Sequence, residues 1–217
     1  RATIMVYWGG ISGSDVTHLG LFDIPLISNI PNMVYLAPTT KEEHLAMVDW
    51  AIEQDKHPVA IRVPNMEVVS TGVGVEANFD ELNKYVMVEE GKDVAIIGLG
   101  SFFHLGKKVQ ERLRNTGINA TLINPRFITG VDEDLLNELK ENHKVVITLE
   151  DGILDGGFGE KISRFYGNSQ MRVLNFGATK EFTDSVELDV LYERYHLTEE
   201  LIVEDIEKVL ADIKVFA

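Results

Sequence analysis

Apolar and polar positions alternate along this chain in short blocks with the rhythm of a parallel α/β protein. Ile4-Met5-Val6-Tyr7-Trp8 is a continuous apolar run and predicts a buried strand. Phe22 to Ile30 predicts a short apolar helix closed by Pro31, and Val34 to Leu36 a second strand. Thr40 and Glu43 have the spacing of a capping box, so a helix is expected there, with Leu45, Val48, Ala51 and Ile52 as its apolar face. Val59-Ala60-Ile61-Arg62-Val63 is the next strand, stopped by Pro64. Strand-helix-strand in this order implies a parallel sheet covered by helices.

From Asn65 to about Lys84 the rhythm fails, and the polar stretch predicts a linker between two units. Tyr85–Val88 and Val94–Ile97 predict a hairpin opening the second unit. Ser101 is a candidate N-cap for a helix carrying Leu105, Val109 and Leu113, ended by Gly117. Ala120–Ile123 predicts a strand, Asp132 a cap for a helix with Leu135, Leu136 and Leu139, and Val145–Leu149 another strand. Gly156-Gly157-Phe158-Gly159 opens a further helix, Met171–Phe176 is the last strand, and Thr198 to Ile213 is a final amphipathic helix.

Composition narrows the classes of function. The 217 residues are 45% hydrophobic and 25% charged, which suits an ordinary globular chain able to bury a core. Twenty Lys and Arg against thirty-five Asp and Glu give a formal charge of −15. Such a surface argues against nucleic acid and membrane surfaces as partners, and an anionic substrate would need a locally basic pocket. Cysteine is absent, which excludes disulfides, thiolate metal sites and a cysteine nucleophile and is compatible with the cytoplasm. No run approaches the ~18 apolar residues of a membrane span. The first residues already read as an interior strand, so the chain is expected to be part of something longer.

The candidate chemistry centres on the segment after the first strand. Gly9, Gly10, Gly13 and Gly20 let the backbone turn sharply and lie close to a ligand or a neighbour, and Asp15 and His18 are its titratable groups. Strand, glycine loop and helix is how α/β enzymes present chemistry at the carboxyl ends of strands. A tight connection with a solvated histidine explains the same residues. Gly98-x-Gly100 lacks the third glycine of a dinucleotide fingerprint, and helix entry accounts for it better than phosphate binding. Glu150 and Asp151 are the best carboxylate pair for acid–base work, though a solvated turn is their simpler account. Their charge would repel an anion from the nearby glycine turn, whose glycines are better explained by close helix–strand packing. His44, His57, His104, His143 and His196 are scattered, and no metal ligation is expected from this chain.

Taken together, Thr17-His18-Leu19-Gly20-Leu21-Phe22-Asp23, Ala37-Pro38-Thr39, Ala60-Ile61-Arg62-Val63-Pro64, Asn124-Pro125-Arg126-Phe127, Glu150-Asp151-Gly152 and Gly156-Gly157-Phe158-Gly159 resemble the transketolase superfamily, in its deoxyxylulose-phosphate synthase branch. The resemblance covers nearly the whole chain. It implies an α/β fold with the last part of a pyrimidine-binding domain at residues 1–66, a linker at 67–84 and a transketolase C-terminal domain at 85–217, with a mostly parallel sheet. It implies a thiamine-diphosphate-dependent transferase that condenses a 2-oxo acid donor, pyruvate, with an aldehyde acceptor, glyceraldehyde 3-phosphate. The diphosphate and Mg²⁺ ligands would lie upstream in a missing N-terminal segment, so the chain alone is expected to be inactive, and the family assembles as homodimers. His18 matches the family's loop histidine, a hydrogen-bond or proton-transfer partner for substrate oxygen.

Two departures touch the acceptor site. The family's Arg-Ala-Gly is Tyr7-Trp8-Gly9 here, its Gly-Ala-Asp-Gly-x-Thr-His is Ser12 to His18 with Ser14 and Asp15 at or beside the carboxylate position, and its Tyr-Pro-Arg-Gly is Val63-Pro64-Asn65-Met66. Tyr7 and Asn65 thus replace two phosphate-holding arginines, and only Arg62 is left to compensate, if it points into the site. An acceptor without phosphate is the alternative this implies within enzymes. A non-catalytic domain that only supports a dimer is the alternative outside them.

Overall fold

A computed structural model of the chain describes residues 2–65, 67–75 and 78–215, with Lys214 and Val215 in the backbone only. Three parallel strands form the first sheet: β1 (Thr3–Gly9), β2 (Val34–Leu36) and β3 (Val59–Pro64), in the order β1-β3-β2. The crossovers carry α1 (Asp23–Ser28) and α2 (Lys41–Glu53). The central strand β3 supplies the fully buried Val59, Ala60 and Ile61, as its apolar run requires.

Two readings of this unit need correction. The first run is a strand, but it is not buried: Tyr7 is 67% and Trp8 51% exposed. Strand β1 is the sheet edge and pairs only with β3, so its outer side lacks cover among the described residues. In α2 the inward face is Ala46, Met47, Trp50 and Ala51, while Leu45 and Ile52 face solvent. The large Trp50 decides the rotation, because its ring packs edge-on against Phe79. Half of the expected capping box forms: Thr40 accepts from Glu43 N, but the Glu43 carboxylate reaches back to Thr39 N and Oγ1 rather than to Thr40.

The second sheet has five strands in the order β4-β6-β5-β7-β8. These are β4 (Val86–Glu89), β5 (Asp93–Gly98), β6 (Thr121–Asn124), β7 (His143–Ile153) and β8 (Arg172–Ala178), all parallel except β4. Helices α3 (Phe103–Asn115), α4 (Glu133–Asn142) and α5 (Phe158–Tyr166) make the crossovers, and α6 (Leu188–Arg194) and α7 (Glu199–Val215) follow the last strand. The expected hairpin does not form, because β4 pairs antiparallel with β6. The wholly apolar Val94–Ile97 is fully buried between two parallel neighbours, whereas the half-polar β4 takes the edge. Asp132 caps α4 as expected, accepting from Leu135 N at 3.2 Å. Ser101 caps nothing: α3 starts at Phe103 after a turn of 3₁₀ helix, and the Ser101 hydroxyl donates to Asp151 instead. Helix α6 went unread, since its seven residues are too short to show a period.

The two sheets share packing. Ile24, Tyr35 and Ala37 of the first unit lie in one apolar cluster with Ala95, Ile97, Ile123 and Phe158 of the second. The strand end after β2 bonds to the segment after β6, with Ala37 N donating to Arg126 O at 2.8 Å and Ile128 N to Tyr35 O at 2.7 Å. The described residues between β3 and β4 include no helix or strand. They are anchored nonetheless, since Phe79 is buried between Trp50 and Phe127.

Candidate functional site

The glycine loop folds over the carboxyl end of β1 and closes on itself. Gly10 N donates to Gly20 O at 3.1 Å. A Cβ on Gly20 would lie 1.6 Å from the Trp8 carbonyl oxygen, so no side chain fits there. The backbone enters the loop through the left-handed region at Trp8 (φ 61°), whose indole is half exposed.

Within the loop Val16–His18 forms one turn of 3₁₀ helix capped by Asp15. The Asp15 carboxylate accepts from Thr17 N at 2.8 Å and from the Thr17 hydroxyl, and His18 Nδ1 sits 3.2 Å from the same oxygen and 2.8 Å from Thr17 Oγ1. Hydrogen bonds from Thr17, and then from His18, hold the Asp15 pKa down at about 2. Two acceptors facing Nδ1 assign the proton of a neutral imidazole to that nitrogen and leave the Nε2 lone pair free. The His18 side chain is 60% exposed, and the Trp8 ring lies 6.1 Å away, tilted.

Beneath the loop lies a buried ionic floor. Arg62 is 3% exposed; its Nε donates to Asp23 Oδ2 at 2.6 Å, and its Nη2 to Asp23 Oδ1 at 3.0 Å and to the Asp151 carbonyl at 2.5 Å. Tyr35 adds a hydroxyl bond to Asp23. Burial pulls the Arg62 pKa down, but the facing Asp23 charge outweighs it and the net shift is upward. Asp151 accepts from Ile11 N at 2.8 Å and from Ser101 Oγ at 3.3 Å; burial lifts its pKa to about 6 against the pull of Arg62.

Glu150 and Asp151 are therefore not a solvated turn: both are fully buried. The strand β7 runs on past them to Ile153, which carries both carboxylates into the interior. Glu150 seats itself at the start of α5, accepting from Phe158 N at 2.7 Å and Gly159 N at 2.8 Å. The turn thus takes its anion from within the chain, where repulsion had been expected. Burial raises Glu150 to about pKa 7 despite those two donors. The glycines do serve close packing, for a Cβ on Gly157 would stand 2.5 Å from Glu150 and one on Gly159 2.5 Å from Thr148.

The structure thus brings Asp15 and His18 together at the exposed loop, with the half-buried Ser14 bonded to Ser12 at 2.8 Å, and leaves Tyr7 exposed on strand β1. Asn65 lies under the loop: its amide donates to Ile11 O at 2.9 Å, and its buried Oδ1 has no partner among the described residues. Arg62 has committed the donors named above to Asp23 and Asp151. Met66, read as the family's glycine position, lies outside the described residues. Asp23 and Tyr35 were not singled out. An arginine inside the run Val-Ala-Ile-Arg-Val was the available signal, because a guanidinium buried with a strand needs a buried carboxylate.

This arrangement, a parallel sheet with a histidine loop at its carboxyl edge joined to a second sheet of mixed direction, has known counterparts. Residues 83–202 match the transketolase C-terminal domain profile, and the chain belongs to the transketolase family. Among curated proteins it is similar to the 1-deoxy-D-xylulose-5-phosphate synthases of Clostridium tetani (34% identical over 204 residues, 93% of this chain and 32% of the relative) and of Alkaliphilus oremlandii (33% identical over 217 residues, 97% and 34%). It spans about a third of the length of those relatives. Of solved structures, a split-gene transketolase described as an inactive β4 tetramer superposes with a TM-score of 0.76 at 26% identity, over 97% of this chain and 66% of that one. A mutant transketolase of Pichia stipitis superposes at 0.70 with 15% identity, over 95% and 29%, which shows the shared fold. No described helix is long and apolar enough to cross a membrane.

Proposed function

We propose that this chain is the substrate-facing part of a cytoplasmic, homodimeric thiamine-diphosphate-dependent transferase of the 1-deoxy-D-xylulose-5-phosphate synthase type. In this reading residues 1–66 end a pyrimidine-binding domain, 67–84 link it, and 85–217 are the C-terminal domain. The observation that carries it is His18: an exposed imidazole on a glycine loop, its Nδ1 held by Asp15 and Thr17 and its Nε2 free, beside an open sheet edge. The described residues include no group of three His, Asp or Glu side chains that fits a metal ion. In this reading the chain forms the substrate wall of a thiamine site, with the diphosphate and Mg²⁺ held by polypeptide upstream of it or in a partner. The chemistry supplied by that cofactor when bound is an electron sink, allowing pyruvate to lose CO₂ and its two remaining carbons to join an aldehyde. As an imidazolium, His18 would donate its Nε2 proton to the aldehyde oxygen as the carbon–carbon bond forms, and the neutral ring, its Nδ1–H held by Asp15, would take a proton back at Nε2 to reset the site.

Tyr7, Ser14 and Asn65 line the acceptor side. None carries positive charge, and the Arg62 cation is neutralised by Asp23 under the loop. That observation favours an acceptor without phosphate over glyceraldehyde 3-phosphate. The test is CO₂ release from pyruvate by the protein together with its upstream polypeptide, thiamine diphosphate and Mg²⁺, across phosphorylated and unphosphorylated aldehydes. Turnover that drops by about 10²-fold or more in His18→Ala supports the reading. Equal turnover in His18→Ala, or release that no aldehyde stimulates, refutes it, and no release at all points to a dimer-supporting scaffold.

A further inference from the structure

We propose that the cavity between the start of α2 and the segment after β3 is a second binding site, for a small carboxylate with an apolar body. It is independent of the reading of His18. The cavity measures about 280 Å³, near the lower end of small-molecule sites. Part of the lining is hydrocarbon, from Pro38, Val63, Pro64, Val68 and Val69. The lining also carries nitrogen: Lys41 and His44 from the first turn of α2, and His104 from the first turn of α3.

Most of the nitrogen groups are uncommitted. His104 Nε2 lies 2.7 Å from the Thr39 carbonyl, so Nε2 is a donor, and Nδ1 is an acceptor in the neutral ring and a second donor to a carboxylate in the imidazolium. His44 is half-buried, and neither its ring nor the Lys41 ammonium has a partner among the described residues. A half-buried imidazole without a partner forfeits hydrogen bonds that a ligand oxygen would restore.

Attraction here does not come from the helix end, whose donors are consumed. Lys41 N donates to Val69 O at 2.9 Å, Glu43 N to Thr40 Oγ1 at 3.1 Å, and Thr39 N to the Glu43 carboxylate at 2.7 Å. Ser101 Oγ is taken by Asp151. Lys41 therefore sets the sign, with His44 and His104 as polar neighbours: burial lowers the His44 pKa and disfavours charge on its ring, and Lys41 and the acidic Glu67 are both exposed, where salt screens them. The apolar wall is held in place, because the Glu42 carboxylate accepts from Ser70 Oγ at 2.5 Å and from Thr71 N and Gly72 N at 3.1 Å. Compact size, a largely hydrocarbon lining and a single cation, Lys41, select a carboxylate such as benzoate over a phosphate ester.

The experiment is an NMR titration of the chain with benzoate and with its neutral counterpart benzamide. Benzoate should shift the His44 and His104 ring signals and the Val68 and Val69 methyls saturably, leaving His18 unmoved. Benzamide should bind about tenfold or more weaker, the difference expected when an ionic contact is lost. Lys41→Gln, at an exposed position that folding tolerates, and His44→Leu should each weaken benzoate several-fold. Shifts that do not saturate, equal binding of benzamide, unaltered affinity in Lys41→Gln, or shifts centred on His18 would each overturn the proposal.

Discussion

Arg62 holds Asp23 in a two-point grip, with Nε at 2.6 Å and Nη2 at 3.0 Å from the two carboxylate oxygens. The same guanidinium reaches the Asp151 carbonyl, so one side chain ties the helix after the His18 loop to the far sheet. Breaking a buried pair on one side leaves an uncompensated charge, at a cost of about 3 to 5 kcal/mol. Arg62→Leu should lose that much stability in urea. Arg62→Lys should lose part of it, because an ammonium cannot match the fork. A loss under about 1 kcal/mol in Arg62→Leu would show that the grip contributes little.

Glu150 and Asp151 make stability fall as pH rises. Their folded pKa values, about 7 and about 6, lie above the ordinary 4.5 and 3.8. The native chain therefore keeps protons that the unfolded chain releases, and the stabilisation is full below the ordinary values and gone above the raised ones. Melting temperature should decline from about pH 5 to 7, and Glu150→Gln, which keeps the neutral shape, should flatten that decline. Equal slopes in the two proteins would remove Glu150 from the account.

Asp15 titrates the other way. Its pKa is lowered to about 2, so its hold on Thr17 and His18 is present above the ordinary carboxylate value and disappears as pH falls towards 2. The Thr17 amide signal should report that step. Asp15→Asn should shift ¹⁵N intensity of His18 between tautomers, and an unchanged tautomer ratio would count against Asp15 as the orienting group.

Gly20 tests the loop closure. A methyl group there meets the Trp8 carbonyl at 1.6 Å, and backbone cannot step aside as a side-chain tip does. Gly20→Ala should cost more than about 2 kcal/mol and move the Trp8 and His18 signals together, whereas Gly74→Ala, with open space around it, should do neither.

The order of strands and helices was written locally: apolar runs, Pro31, Pro64 and Gly117 as stops, and caps at Thr40 and Asp132 are read by the backbone within a few residues. The loop carrying Asp15 and His18 was legible for the same reason, since its glycines and its cap act over short range. Which strand lies beside which was not, because pairing joins segments far apart and depends on what else competes for an edge; β4 chose β6 over its sequence neighbour β5. Nor did local pattern show that Glu150 and Asp151 are interior. Charge reads as exposure until the fold brings a helix start to one carboxylate and a guanidinium near the other. The chain alone set its elements and the chemistry of its loop. Tertiary structure decided which charges leave water, because desolvation is a property of the surroundings and not of the residue.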